Sequence, residues 1–82
     1  MPEIARFYGI VIKLFFGDHS PAHFHAIYGE YVGVFNINTF EMIEGDLPIR
    51  AKKLVVEWAK INKNELQNMW KTQDFHKLTP LN

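Results

Sequence analysis

His23-Phe24-His25-Ala26-Ile27-Tyr28, then Gly29-Glu30, then Tyr31-Val32-Gly33-Val34-Phe35-Asn36: two runs rich in β-branched and aromatic residues flank a pair with glycine first. Such runs favour strands, and a two-residue loop led by glycine is a common hairpin connection. If Tyr28 faces Tyr31, Ala26 faces Gly33 and Phe24 faces Phe35, and one face is apolar. His23, His25 and Ile27 then share the other face, opposite Asn36, Val34 and Val32. Side chains on a strand alternate, so a slip of one residue would exchange the two faces. The hairpin therefore predicts that His23 and His25 point the same way, about 7 Å apart along the strand.

Working outward, the first strand of this hairpin is expected over about 22–28 and the second over about 31–38. Before them, Phe7 to Phe16 reads as one continuous strand. Tyr8, Ile10, Ile12, Leu14 and Phe16 form its apolar phase, and Phe7, Gly9, Val11, Lys13 and Phe15 its mixed phase. Residues 2–6 read as a lead-in. Gly17-Asp18-His19-Ser20-Pro21 is a turn by composition, with Pro21 biasing Ser20 toward extended backbone. After the hairpin, Met42-Ile43-Glu44 adds a short strand ended by Gly45. Asp46 is a good helix N-cap, with Pro48 accommodated in the first turn. A helix follows to about Ile61, with Ala51, Leu54, Val55, Trp58 and Ile61 on its apolar stripe. Asn64 caps a second helix over about 65–73, which presents Leu66, Met69 and Trp70. Residues 74–82 have no period.

Strands first and helices after imply an α+β fold: a small antiparallel sheet of three to four strands followed by two helices packed on one face. Residues 1–74 form a single domain and residues 75–82 a C-terminal tail. A chain of 82 residues has a limited core, and its 15% aromatic content must supply much of the burial. A homodimer is an ordinary way to cover what is left over. Without cysteine, disulfides and thiolate metal sites are excluded. No apolar run reaches membrane-spanning length and no secretion signal opens the chain, so a cytoplasmic location is expected. Nine basic and nine acidic residues cancel, which lowers the expectation of nucleic-acid binding without removing it.

Three of the four histidines fall within seven residues, beside Asp18. Imidazole is a common ligand of zinc and nickel. Under a metal reading His19, His23 and His25 are ligands, with Asp18 a fourth ligand or a group that orients a ring. A second reading makes His23 and His25 the acid and base of phosphodiester cleavage by a ribose hydroxyl, with Arg6, Lys13 or Arg50 as the stabilising cation. The plainest reading gives His19 to the turn and makes His23 and His25 polar partners of Asn36 on a sheet face. Trp58 and Trp70 read as core residues, the lysines after Arg50 as a solvated helix face, and His76 as exposed.

Met1-Pro2-Glu3-Ile4, Arg6-Phe7, Gly9-Ile10-Val11-Ile12, Asp18-His19, Pro21, His23-Phe24-His25-Ala26, Tyr28-Gly29-Glu30, Gly45, Leu47-Pro48 and Trp58 together resemble the small bacterial family known as domain of unknown function 4160. The resemblance runs from Met1 to about Trp70, and the Asp-His-X-Pro-Pro-His-Phe-His-Ala block is its most specific part. Ala22 stands where the family typically has a second proline, which loosens the turn before His23. The resemblance implies membership of a toxin–antitoxin-like two-gene module, with a small protein as partner. The expectation carried forward is a histidine-rich surface that binds that partner and a divalent metal, zinc or nickel. An RNA or phosphodiester hydrolase and a purely structural interaction domain are the alternatives.

Overall fold

The computed structural model describes residues 3–15, 17 and 19–81. Five strands form one antiparallel meander, β1 (Glu3–Phe7), β2 (Ile10–Lys13), β3 (His23–Tyr28), β4 (Tyr31–Asn36) and β5 (Met42–Gly45), adjacent in chain order. Two helices follow, α1 (Ile49–Ile61) and α2 (Lys63–Thr72). The α+β class and its strands-then-helices order are as the sequence implies, with one strand more than the upper expectation.

The β3–β4 hairpin has the expected register, with Tyr28 opposite Tyr31, Ala26 opposite Gly33 and Phe24 opposite Phe35. Gly29 takes φ 59°, the left-handed backbone that this turn needs at its first position. Phe24, Ala26 and Phe35 are fully buried. The Phe24 and Phe35 rings stack with centroids 5.4 Å apart, and Trp58 of α1 meets Phe24 edge-on at 6.0 Å. Ile10, Ile12 and Leu14 join the same core.

The extra strand arises because the expected single strand over 7–16 is broken by a hairpin. Tyr8 and Gly9 both adopt positive φ, 49° and 80°, and β1 folds back on β2 with Phe7 opposite Ile10. Positive φ at both central positions matches the right-handed twist of paired strands. The alternation restarts at this turn, so Phe7 enters the core and Tyr8 is left exposed. An unbroken apolar run conceals such a turn, because tyrosine does not advertise a positive φ.

The start of α1 also differs. Asp46 does not cap it: Pro48 holds the N-cap position, no side chain caps the helix, and Asp46 N–H donates to Val32 O at 3.0 Å, which prolongs the sheet contact. Leu47 then enters the core, and the helix begins only after Pro48. Ala51, Val55, Trp58 and Ala59 form the buried stripe of α1, whereas Ile61 is exposed. The single residue Asn62 joins the helices, its side-chain N–H₂ donating to Trp58 O at 2.9 Å. It takes the place expected for Asn64 at the start of α2. Gln73, at φ 63°, ends α2 with its N–H on Met69 O. Residues 74–81 contain no helix or strand, but they run back across the core. Leu78 N–H donates to Ile4 O of β1 at 2.7 Å, and Trp58 Nε1–H donates to Thr79 O at 2.9 Å. No helix among the described residues is long and apolar enough to cross a membrane.

Two glycines separate strain from collision. A Cβ on Gly45, at φ 91°, would collide with the Val32 carbonyl, whereas Gly29 has open space around it. Gly29→Ala should therefore cost about 1–2 kcal/mol from backbone conformation alone. Gly45→Ala should cost clearly more, because β4 and β5 must also part. Urea denaturation of the two variants measures the difference.

Candidate functional site

Alternation carries the core-facing residues of β3 to one side and His23 and His25 to the other, where both are half-buried. Their rings lie edge to face with centroids 5.4 Å apart. The row extends at both ends: Phe15 meets His25 at 4.5 Å, and Trp70 of α2 meets His23 at 5.0 Å. Four rings thus run from the end of β2 across β3 to α2. Val11, Ile27 and Val34 are half-buried on the same face, and Val32 is exposed.

His23 is held by a specific hydrogen bond, its Nδ1 lying 2.7 Å from Pro21 O. A carbonyl oxygen can only accept, so Nδ1 must carry the proton and the lone pair of the neutral ring belongs to Nε2. The preceding Ser20–Pro21 peptide is cis. Nδ1 of His25 is buried. Asn36 lies opposite His23, but its Oδ1 accepts from the N–H groups of Asn38 and Thr39 at 2.7 and 3.0 Å, closing the turn after β4.

The loop before β3 is fastened from α2. Gln73 Oε1 accepts from Gly17 N–H at 2.8 Å, while its Nε2–H₂ donates to Trp70 O at 2.8 Å. One side chain thereby links the backbone of Trp70, at the end of α2, to the start of the histidine loop. Sequence alone does not bring Gln73 or Phe15 into the site, and it assigns Trp70 to the core. The pattern Lys13-X-Phe15 on the mixed phase of its strand signals Phe15. Gln73 has no sequence signal, because its role depends on a helix end meeting a loop 56 residues away.

The candidate residues are distributed unevenly. His23 and His25 are together, and His19 is exposed on the loop. Asp18 lies outside the described residues. Among the described residues, no three His, Cys, Asp or Glu side chains gather into a group that could hold a metal ion. Of the three candidate cations, Lys13 is directly opposite His25 across β2 and β3. Arg6 is engaged by Glu3 at 2.8 Å. Arg50 lines a cleft with Tyr8, Tyr28 and Leu54 instead. His76 is about half exposed, as expected, and its Nε2 lies 3.2 Å from Glu65 Oε2.

Glu3 lies across from Lys13. The hydrogen bond from the Arg6 guanidinium lowers its carboxyl to about 2, and Lys77 at 3.6 Å adds to the effect. The folded-state value is depressed, so the pair's contribution to stability is full above the ordinary value of 4.5 and is lost as pH falls toward 2.

A family model described as domain of unknown function (DUF4160) matches residues 9–71, and so includes the strand with both histidines and most of α2. No curated protein and no solved structure matches the chain.

Two NMR measurements check this geometry. Long-range ¹H–¹⁵N spectra should show neutral His23 as the Nδ1–H tautomer, the rarer form of free imidazole; an Nε2–H tautomer would mean that the Pro21 contact is absent. Following the Glu3 carboxyl by NMR should give a midpoint near 2, and Arg6→Ala should return it toward 4.5.

Proposed function

The chain belongs to the DUF4160 family, and we propose that it is a component of a toxin–antitoxin-like two-gene module whose histidine face binds a small protein partner. The observation that supports this reading most is the composition of that face. Two adjacent imidazoles sit beside Val11, Ile27, Val32 and Val34, on the side of β3 opposite the Phe24 side that meets α1. A mixed apolar and imidazole surface offers a partner burial together with a few directional polar contacts. Phe15 and Trp70 flank the imidazoles, and aromatic anchors of this kind often dominate interface energetics.

A divalent metal fits the proposal as a bridge. His23 and His25 offer two imidazoles, half of the four ligands of a structural zinc site. The partner would supply further donors to a zinc or nickel ion at the interface.

A second reading is acid–base cleavage of an RNA phosphodiester by His23 and His25. Lys13 favours it, because a cation opposite His25 can stabilise charge that develops on phosphate. In that case His23 would offer Nε2 as base or acid while Pro21 holds its Nδ1–H.

Copurification with the small protein encoded beside it tests the first reading. His23→Ala with His25→Ala, or Val34→Glu alone, should weaken the complex at least tenfold, while His76→Ala should leave it unchanged. Undiminished binding by both site variants would refute the interface. Expression of the chain alone distinguishes the second reading. Growth arrest with RNA cleavage, relieved by His25→Ala, is the result expected of a nuclease, and normal growth with intact RNA counts against it.

A further inference from the structure

The histidine face does not account for the solvent side of α1. Ile49, Lys53, Val56 and Lys60 follow one another at intervals of four, three and four, and therefore form one stripe along the helix. The stripe faces away from the buried residues Ala51, Val55, Trp58 and Ala59, although Val56 is half-buried and also packs against the core. Ile49 is 75% exposed, although it is a large aliphatic residue at the first position of the helix. With Lys52 and Glu57, the four line a shallow groove of about 540 Å³. The two apolar positions are seven residues apart, as are the two lysines. An apolar row one side chain wide therefore runs beside a row of positive charge.

Charge identifies the occupant. The segment 49–63 contains Arg50, Lys52, Lys53, Lys60 and Lys63 but only one acidic residue, Glu57, in a chain whose total charge is zero. Lys63 is drawn aside over the Phe40 ring at 5.6 Å. Arg50 lines the separate cleft with Tyr8 and Tyr28, which leaves Lys52, Lys53 and Lys60 beside Ile49 and Val56. A second copy presenting the same stripe would bring like charges together, since a two-fold interface joins a patch to itself. A nucleic-acid backbone would satisfy the lysines and leave Ile49 in water. We propose that the solvent face of α1 docks an acidic amphipathic helix of a partner protein. Its apolar side chains cover Ile49 and Val56, and its carboxylates pair with Lys53 and Lys60. The stripe is about 16 Å long at 1.5 Å per residue, room for three turns of the partner. This surface is independent of the histidine reading, because no residue is common to the two.

A synthetic peptide of three heptads, with Leu at the first and fourth positions and Glu at the fifth and seventh, is a suitable probe. Its repelling glutamates oppose self-pairing. Titrated into ¹⁵N-labelled protein, it should shift the amides of residues 49–60. The dissociation constant should rise at least tenfold in Lys53→Glu/Lys60→Glu, and severalfold in Val56→Asn or in 0.5 M salt. The His23→Ala/His25→Ala variant should bind unchanged. Circular dichroism and thermal melting confirm folding, and Lys53→Gln/Lys60→Gln replaces the charge reversal if that variant is unfolded. Four results would overturn the proposal: no shifts at millimolar peptide; shifts centred on the sheet; equal binding of the peptide with Lys in place of Glu; or stronger binding of an RNA or DNA oligonucleotide at the same residues. Concentration-dependent shifts of residues 49–60 without peptide would assign the stripe to a second copy and overturn it as well.

Discussion

The pairing of Tyr28 with Tyr31 across Gly29-Glu30 is the constraint on which both faces of the sheet depend. Side-chain direction in a strand has a period of two, so this one turn determines the direction of every residue from His23 to Asn36. In this register three buried residues, Phe24, Ala26 and Phe35, meet the helix side, and the two imidazoles meet the other. The alternative register would bury two histidines and expose two phenylalanines. Large rings lost from the core cost about 3–5 kcal/mol each when truncated, which is a large fraction of the stability of any small domain. The apolar face therefore enforces the register, and the position of the histidines follows from it.

The helices contribute to both sides of the sheet. Trp58 fills the core against Phe7 and Phe24, while its indole N–H fastens the returning C-terminal segment through Thr79. That segment places Leu78 on β1 and thereby pairs part of a sheet edge that would otherwise be open. At the end of α2, Trp70 and Gln73 reach toward the histidine side, one by ring contact and one by a hydrogen bond to the loop. The candidate site is consequently built from four parts of the chain, and its geometry depends on the docking of α2.

The central hairpin, the core face and the two helices were legible because each rests on a local signal: a glycine-led turn, alternation, or apolar residues three and four apart. The β1–β2 hairpin was not legible, since Tyr8 takes its positive φ without a sequence signal and the run from Phe7 to Ile12 reads as one continuous strand. The helix start differs from the expected one because Asp46 has the chemistry of a cap, while the chain stays with the sheet through Asp46 and turns helical only after Pro48. In the site, His23 and His25 could be assigned to one face from the sequence. Their neighbours Trp70 and Gln73 could not, because those contacts join a helix end to a distant loop. Lys13 was one of three cations of equal standing until the β2–β3 register placed it beside His25.

On the proposed function, the face carrying His23 and His25 is where this protein meets its partner. Cross-saturation NMR tests it most directly, with the unlabelled partner irradiated and signal loss read at the methyl groups of the ¹³C-labelled chain. Strong loss is expected at Ile27, Val32 and Val34, with little at the buried methyls of Val55 and Leu66. A complex that forms with full intensity retained at Ile27, Val32 and Val34 would contradict it.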